Sequence, residues 1–286
     1  MSFLSNPGWI APYDYPFAGF DAVPQAVFNE INARLDARPV AETPLVSILI
    51  AAYNEEINIL RCVSTLASQQ TTVPFEIIAI NNNSADRTQD TMNNLHIRRL
   101  FQPMQGPGPA RQLGQEAALG TYILLADADC LYPPNWLGEM LGKLQTPGVV
   151  CVYGRYSFIG TPAIPRWQLL LHETMKDLVA ELRHAKRPYL NAYGISMGYL
   201  KSAGLAAGYI MHNTRGEDGR LCFDMMQHGT VAAMKTRSAR AWTGPRSLLR
   251  DGTLWQAIGN RIRTEAGRVF SYLTPHPPHD TKTSKN

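Results

Sequence analysis

Between Leu45 and Tyr153 the chain alternates continuous apolar runs with stretches whose apolar residues recur at helical spacing. Val46–Ala52 is almost wholly apolar, and Ile57, Leu60, Val63, Leu66 and Ala67 then fall in one helical register. A second run, 75–80, ends in Asn81, Asn82, Asn83 and Ser84, where Ser84 or Asp86 can cap the next helix. Pro109 suits the first position of a helix over 110–119. A third run, 121–126, is bounded by Gly120 and Asp127, and the spacing predicts a helix over 136–144 and a strand over 149–153. Runs without polar alternation are strands buried on both faces. Alternating with helices, they predict an α/β fold with a mostly parallel central sheet flanked by helices.

Outside this block the pattern loosens. Residues 1–44 form an N-terminal extension in which Pro24 opens a helix carrying Val27, Phe28, Ile31 and Leu35 on one face. An amphipathic helix is predicted over 167–183, then a Gly-punctuated stretch, then the acidic pair Glu217 and Asp218 just ahead of an apolar run. The expected division is a main domain over 45–235, with halves 45–155 and 156–235, followed by a basic segment over 236–286. Within that segment Leu254, Trp255, Ile258, Ile262, Ala266, Val269, Phe270 and Leu273 recur at helical spacing with Arg261, Arg263 and Arg268 between them. Such a helix packs on its own domain, in a homodimer contact, or on an anionic membrane surface. The polar residues after Pro275 are expected to be disordered.

Composition narrows the setting. Of 286 residues, 45% are hydrophobic and 17% charged, which are globular values. No apolar run approaches the ~18 residues that span a bilayer. The N-terminus lacks the basic and apolar regions of a signal peptide. The four cysteines form no CxxC pair, so they read as free thiols in a reducing, cytoplasmic setting. The net charge of +4 concentrates beyond Met234, but no basic-aromatic interleaving accompanies it, and nucleic acid is not expected as a partner.

The candidate chemistry lies where the strands end. On an extended backbone residues two apart project to one side, so Asp127 and Asp129 converge. Two carboxylates held together repel unless a cation lies between them or one keeps its proton. Hard oxygen donors suit Mg²⁺ or Mn²⁺, which can bridge to phosphate oxygens. Asn54 with Glu55, the cluster 81–84, and Asp127 with Asp129 all follow apolar strands. In open α/β sheets ligands bind outside the strand carboxyl ends, so a nucleotide-type ligand with a divalent metal is expected. His212 and His228 are candidates for a third metal ligand, and Arg111 for a phosphate clamp.

Four blocks in this order resemble the family-2 glycosyltransferases, which have the GT-A fold: Val46 to Glu56, Glu76 to Thr88, Gly106 to Asp129 with its Asp-x-Asp, and Gly216-Glu217-Asp218. The resemblance spans roughly residues 45 to 225. It implies sugar transfer from a UDP-, GDP- or dTDP-type donor to a hydroxyl of a sugar or lipid-linked acceptor, with inversion. By the same resemblance Ala52, Tyr53, Glu55, Asn81 and Arg111 line the nucleoside pocket, with Asn83, Ala126 and Ala128 beside them. Asp127 faces the ribose or a metal-bound water, Asp129 holds the metal, and Asp218, flanked by Glu217, is the general base. The family usually has Asp where this chain has Asn81, which leaves the base open because an amide donates as well as accepts. A QxxRW signature is missing, which favours single addition over processive synthesis. Such an enzyme works in the cytoplasm or at the inner membrane face. The competing readings are a catalytically silent nucleotide-sugar scaffold and a sugar-nucleotide pyrophosphorylase, whose Gly-rich loop after the first strand is not found.

Overall fold

The computed structural model describes residues 4–38, 42–213 and 216–248, with positions 256, 259, 263, 264 and 267 beyond. Among these residues ten strands follow in chain order: β1 (Val46–Ala52), β2 (Phe75–Asn81), β3 (Arg98–Phe101), β4 (Tyr122–Asp127) and β5 (Cys130–Leu131). Then come β6 (Val149–Gly154), β7 (Tyr156–Phe158), β8 (Met197–Leu200), β9 (Thr230–Met234) and β10 (Ala241–Thr243). The helices are α1 (Gln25–Asp36), α2 (Asn58–Ala67), α3 (Thr88–Asn93), α4 (Pro107–Ala117), α5 (Trp136–Leu144), α6 (Arg166–His184), α7 (Lys201–Ala207) and α8 (Glu217–Met225).

Seven strands form one sheet in the order β3-β2-β1-β4-β8-β6-β9, and only β8 runs against the others. Both faces are covered, as the unbroken apolar runs require. Along β1, Ile48 and Ile50 pack with Phe28 of α1, Leu60 of α2 and Trp136 of α5. Leu49, pointing the other way, joins Ala110 of α4, Ala203 of α7 and Leu221 of α8. Gly120 opens β4 because nothing larger fits: a Cβ there would lie 2.6 Å from the Ser47 nitrogen. Helix α4 starts at Pro107, two residues ahead of the expected Pro109, since Pro107 lacks the N–H that a first helical turn leaves unpaired.

The register places the polar clusters side by side. Ala52 lies opposite Asn81, and Ala51 opposite Asp127, so the loops after β2, β1 and β4 share one sheet edge. A second, three-stranded sheet orders β5-β10-β7. Strand β10 lies past the boundary expected at 235, yet it pairs with both the main block's β5 and β7. The expected helix over 254–273 and the tail after Pro275 lie outside the described residues, apart from the five positions named above.

Helix α6 is amphipathic with its charged face turned inward. Glu173 accepts hydrogen bonds from Arg166, from Ser157 Oγ and from the Phe158 N–H, while Asp177 pairs with Arg155 and Arg240. Its outer face carries Trp167, Leu171, Leu178 and Leu182, each 44–65% exposed.

Candidate active site

Part of the polar signal at the strand ends is turn chemistry. Asn54 and Asn83 adopt left-handed backbone with φ of 55° and 60°, a conformation asparagine tolerates better than most residues. The Asn54 Oδ1 accepts the Ala85 N–H at 2.8 Å, which fastens the loop after β1 to the loop after β2. Asn81 is buried; its Oδ1 accepts the Ser84 N–H at 3.0 Å and its amide donates to Gln89 at 2.9 Å. Asn82, not singled out from sequence, accepts the Gly106 N–H at 2.7 Å and donates to the Met104 carbonyl at 2.7 Å. It thereby ties the entry of α4 to the site. Ala52 is buried at the end of β1, and next to it the Tyr53 ring is half exposed at the sheet edge.

At the end of β4, Ala126 and Ala128 are buried on either side of Asp127. The Asp127 N–H donates to the Tyr132 hydroxyl at 2.8 Å, which in turn donates to the Ile195 carbonyl at 2.9 Å. Beyond Asp127 the chain turns rather than continuing extended, and Asp129 reaches the same spot from that turn. Ligand atoms of Asp127, Asp129 and Cys130 all lie within 4.8 Å of one another. The carboxylates, both about a third exposed, are hard oxygen donors of the kind that fit a divalent cation. Burial pushes the Cys130 thiol well above its ordinary pKa, and Asp129 and Asp127 add to this. His212 is exposed on the loop before α8 and is not a member of this cluster. His228 precedes β9, whose first residue pairs with the first residue of β6, so it sits at the opposite sheet edge and cannot complete the site.

Arg111 is the centre of the arrangement. The first turns of α4 aim it into the protein, where its side chain is 7% exposed. Its Nη1 donates to Glu217 at 2.7 Å and to both oxygens of Asp218 at 2.8 and 2.9 Å; its Nη2 donates to Asp127 at 3.0 Å. The guanidinium is thus committed to three carboxylates, where a phosphate clamp would leave it open. Burial works against its charge, but Asp218 and Asp127 outweigh that and hold it protonated. Burial likewise lifts Asp218 to about 6 against the opposing pull of Arg111, with Glu217 adding to the rise. Asp127 is also raised by burial, opposed by Arg111 and assisted by Asp129 and Asp218.

Gly194 makes this possible, and no motif in the sequence marked it. Its N–H donates to Asp218 at 2.7 Å, and a Cβ there would lie 1.9 Å from Arg111 Nη2. A different arginine serves the outer acids. Arg246, in the turn after β10, donates to Glu55 at 2.7 Å and to Asp129 at 3.4 Å, so Glu55 is held by protein, with Asn58 as a second partner. A cleft of about 550 Å³ opens beside Asp129 and Arg246, walled by Arg61, Ile159 and the N-terminal extension. A larger groove of about 930 Å³ between α5 and β9 contains none of these acids.

The model of the family described as glycosyl transferase family 2 matches residues 47–203. Among curated proteins, the chain is 38% identical over 120 residues to the protein EpsH of Bacillus subtilis, covering 39% of this chain and 34% of that protein. It is 30% identical over 156 residues to the glycosyltransferase AglE of Haloferax volcanii, covering 50% of each. The chain thus spans a third to a half of the length of these relatives. Among solved structures it resembles a mannosyltransferase of Pyrobaculum calidifontis in complex with GDP-Man and Mn²⁺, with TM-score 0.55, 16% identity, and coverage of 84% of this chain and 76% of that one. It also resembles TarS of S. aureus in complex with UDP-GlcNAc, with TM-score 0.52, 16% identity, and coverage of 70% and 58%. At such identity the likeness speaks for the fold, and that fold is GT-A.

Proposed function

The chain belongs to glycosyl transferase family 2, and on that premise we propose that it moves a sugar from a nucleoside-diphosphate donor onto an acceptor hydroxyl. The observation that carries this reading is the single buried guanidinium of Arg111, which joins the metal-side carboxylate Asp127 to the acceptor-side pair Glu217 and Asp218. One side of that bridge suits a leaving diphosphate and the other suits proton removal, and the two are held at a fixed spacing.

The donor lies across the edge formed by the ends of β2, β1 and β4. Tyr53 offers a ring to the base, and Ala52, Asn81 and Asn83 shape the pocket around it. Asp129 and Asp127 would hold Mn²⁺ or Mg²⁺, which when bound would supply positive charge against that developing on the leaving diphosphate. Asp218 takes the acceptor proton. A carboxyl lifted to about 6 is a stronger base than an ordinary aspartate and is still ionised at neutral pH. Attack from the side opposite the diphosphate inverts the anomeric carbon, and release after one addition makes the enzyme non-processive. The nucleotide half is 45–155 and the acceptor half 156–235.

The acceptor in this reading is a hydroxyl of a sugar or of a lipid-linked molecule, and a lipid-linked one is met from the cytoplasmic side of a membrane. No helix among the described residues is long and apolar enough to cross a bilayer. Support for a peripheral contact comes from the exposed Trp167, Leu171, Leu178 and Leu182 of α6. Sedimentation with vesicles containing anionic lipid tests this; a concentration-dependent dimer without vesicle binding assigns the surface to a second copy instead.

Transfer itself is tested with Asp218→Asn. Retained binding of donor nucleotide with loss of transfer supports the assignment. A wild-type protein that binds nucleotide sugar and turns over no acceptor marks it as a silent module.

A further inference from the structure

Strand β10 enters the small sheet with Thr243 opposite Cys130, and this register carries the following residues over the loop that holds Asp129. Thr243 Oγ1 donates to the Asp129 carbonyl at 3.4 Å, which pins the crossing point. Three residues on, Arg246 Nη2 donates to Glu55 Oε1 at 2.7 Å and to Asp129 Oδ2 at 3.4 Å. It draws together an acid from the loop after β1 and an acid from the loop after β4. The Arg246 side chain is 67% exposed, against 14% for Glu55 and 35% for Asp129. Its contrast with Arg111 is informative. Arg111 is enclosed, with all its partners fixed around it. Arg246 is a water-facing cation on a short turn, resting on the carboxylate that the proposed divalent ion needs.

We propose that Arg246 is an internal counter-cation of the metal subsite: it occupies Asp129 and Glu55 while the site awaits donor, gives up Asp129 to the divalent ion, and passes its guanidinium to the incoming diphosphate. This deepens the donor reading given above and rests on it. The argument is electrostatic. Arg246 and a divalent ion compete for one carboxylate oxygen, so each weakens the other there. An exposed arginine pair is worth little and exchanges readily, whereas a guanidinium on a diphosphate makes charge-assisted and often bidentate hydrogen bonds. The release of Arg246 is therefore uphill when metal binds alone and downhill when metal and diphosphate arrive together. Metal by itself binds weakly, and the pair binds cooperatively.

Two titrations on the full chain test this. The first measures Mn²⁺ alone, by electron paramagnetic resonance of the free ion. The second measures inorganic pyrophosphate in the presence of saturating Mn²⁺, by calorimetry, which removes the unknown base from the question. Both use wild type, Arg246→Gln, Arg246→Lys and Asp129→Asn, each checked for an unchanged melting curve. Arg246→Gln is expected to bind Mn²⁺ alone about two- to fivefold more tightly, because an exposed competing charge has gone. It is expected to bind the Mn²⁺-pyrophosphate pair about tenfold or more weakly, with Arg246→Lys between the two. If wild type binds Mn²⁺ through Asp129 but Arg246→Gln leaves both affinities unchanged, the counter-cation role is overturned and the donor reading stands. If neither wild type nor any variant binds Mn²⁺ or the pair, the metal-site reading falls, and this proposal falls with it.

Discussion

Replacing Arg111 with methionine is the most informative single perturbation of this site, because it nearly keeps the packing volume while removing the charge and the N–H donors that hold Glu217, Asp218 and Asp127. In the wild type Glu217 and Asp218 each lie within 2.7–2.8 Å of the same nitrogen, so their oxygens are no farther apart than about 5.5 Å. Both side chains are only 9–10% exposed. Without the guanidinium, two like charges at that distance repel by about 3 kcal/mol at an effective dielectric constant near 20. Breaking a buried ion pair by removing one partner costs about 3–5 kcal/mol in general, which agrees. Arg111→Met is therefore expected to lose about 3–5 kcal/mol of stability at pH 8. The sign of its pH dependence follows from the carboxyls. Asp218 already sits at about 6, above its unfolded value, and losing Arg111 raises it further. A carboxyl raised in the folded state binds its proton more tightly there than in the unfolded chain, so protonation stabilises the fold. The deficit of the variant must shrink as pH falls from 8 towards 5. Urea unfolding at pH 8 and pH 5 measures it, and Arg111→Met combined with Asp218→Asn should recover part of the loss at pH 8. A variant as stable as wild type at pH 8, or a deficit that grows on acidification, would refute the charge-balance account of this centre.

Three further outcomes are expected. Gly194→Ala places a Cβ 1.9 Å from Arg111 Nη2, so it should displace the guanidinium and reduce transfer by about a hundredfold or more, an effect of the size that small misplacements cause in a catalytic site; steady-state rates on the purified variant decide it. With Asp218 as base, kcat/KM should rise with pH through about 6 and level off above it, and Asp218→Asn should abolish turnover on both sides of that limb rather than shift it. Tyr132→Phe removes the hydroxyl that accepts the Asp127 N–H, which leaves a donor unpaired and should cost about 1–3 kcal/mol of stability by denaturant unfolding.

The sheet and its working edge were legible because both depend on local pattern. Apolar runs such as Val46–Ala52 have nowhere to go but the interior, and the polar residues that end them come to lie side by side through strand register. The charge partners were not legible. Position 111 on the first turns of a helix says nothing of Glu217 and Asp218, more than a hundred residues away, and Gly194 carries no side chain to hint at what its absence of a Cβ admits. Arg246 looked like part of a separate basic segment, since β10 is three residues long and its pairing with β5 leaves no trace in a periodicity. Helix α6 shows a subtler limit. Its amphipathic spacing predicts a helix, but which face turns inward depends on Arg155 and Arg240, which supply partners for Asp177 from outside it. The candidate His228 failed for a topological reason: it precedes a strand parallel to β4, and so lies at the wrong end.

The central claim is that Asp129, with Asp127, holds a divalent ion through which a nucleoside diphosphate is bound. Calorimetric titration of UDP, GDP and dTDP, each with and without Mn²⁺, against wild type and Asp129→Ala tests it most directly. The account predicts that one diphosphate binds, that it needs the metal, and that Asp129→Ala loses it while keeping its fold. Binding that is equally tight without metal, or that survives Asp129→Ala unchanged, would contradict it.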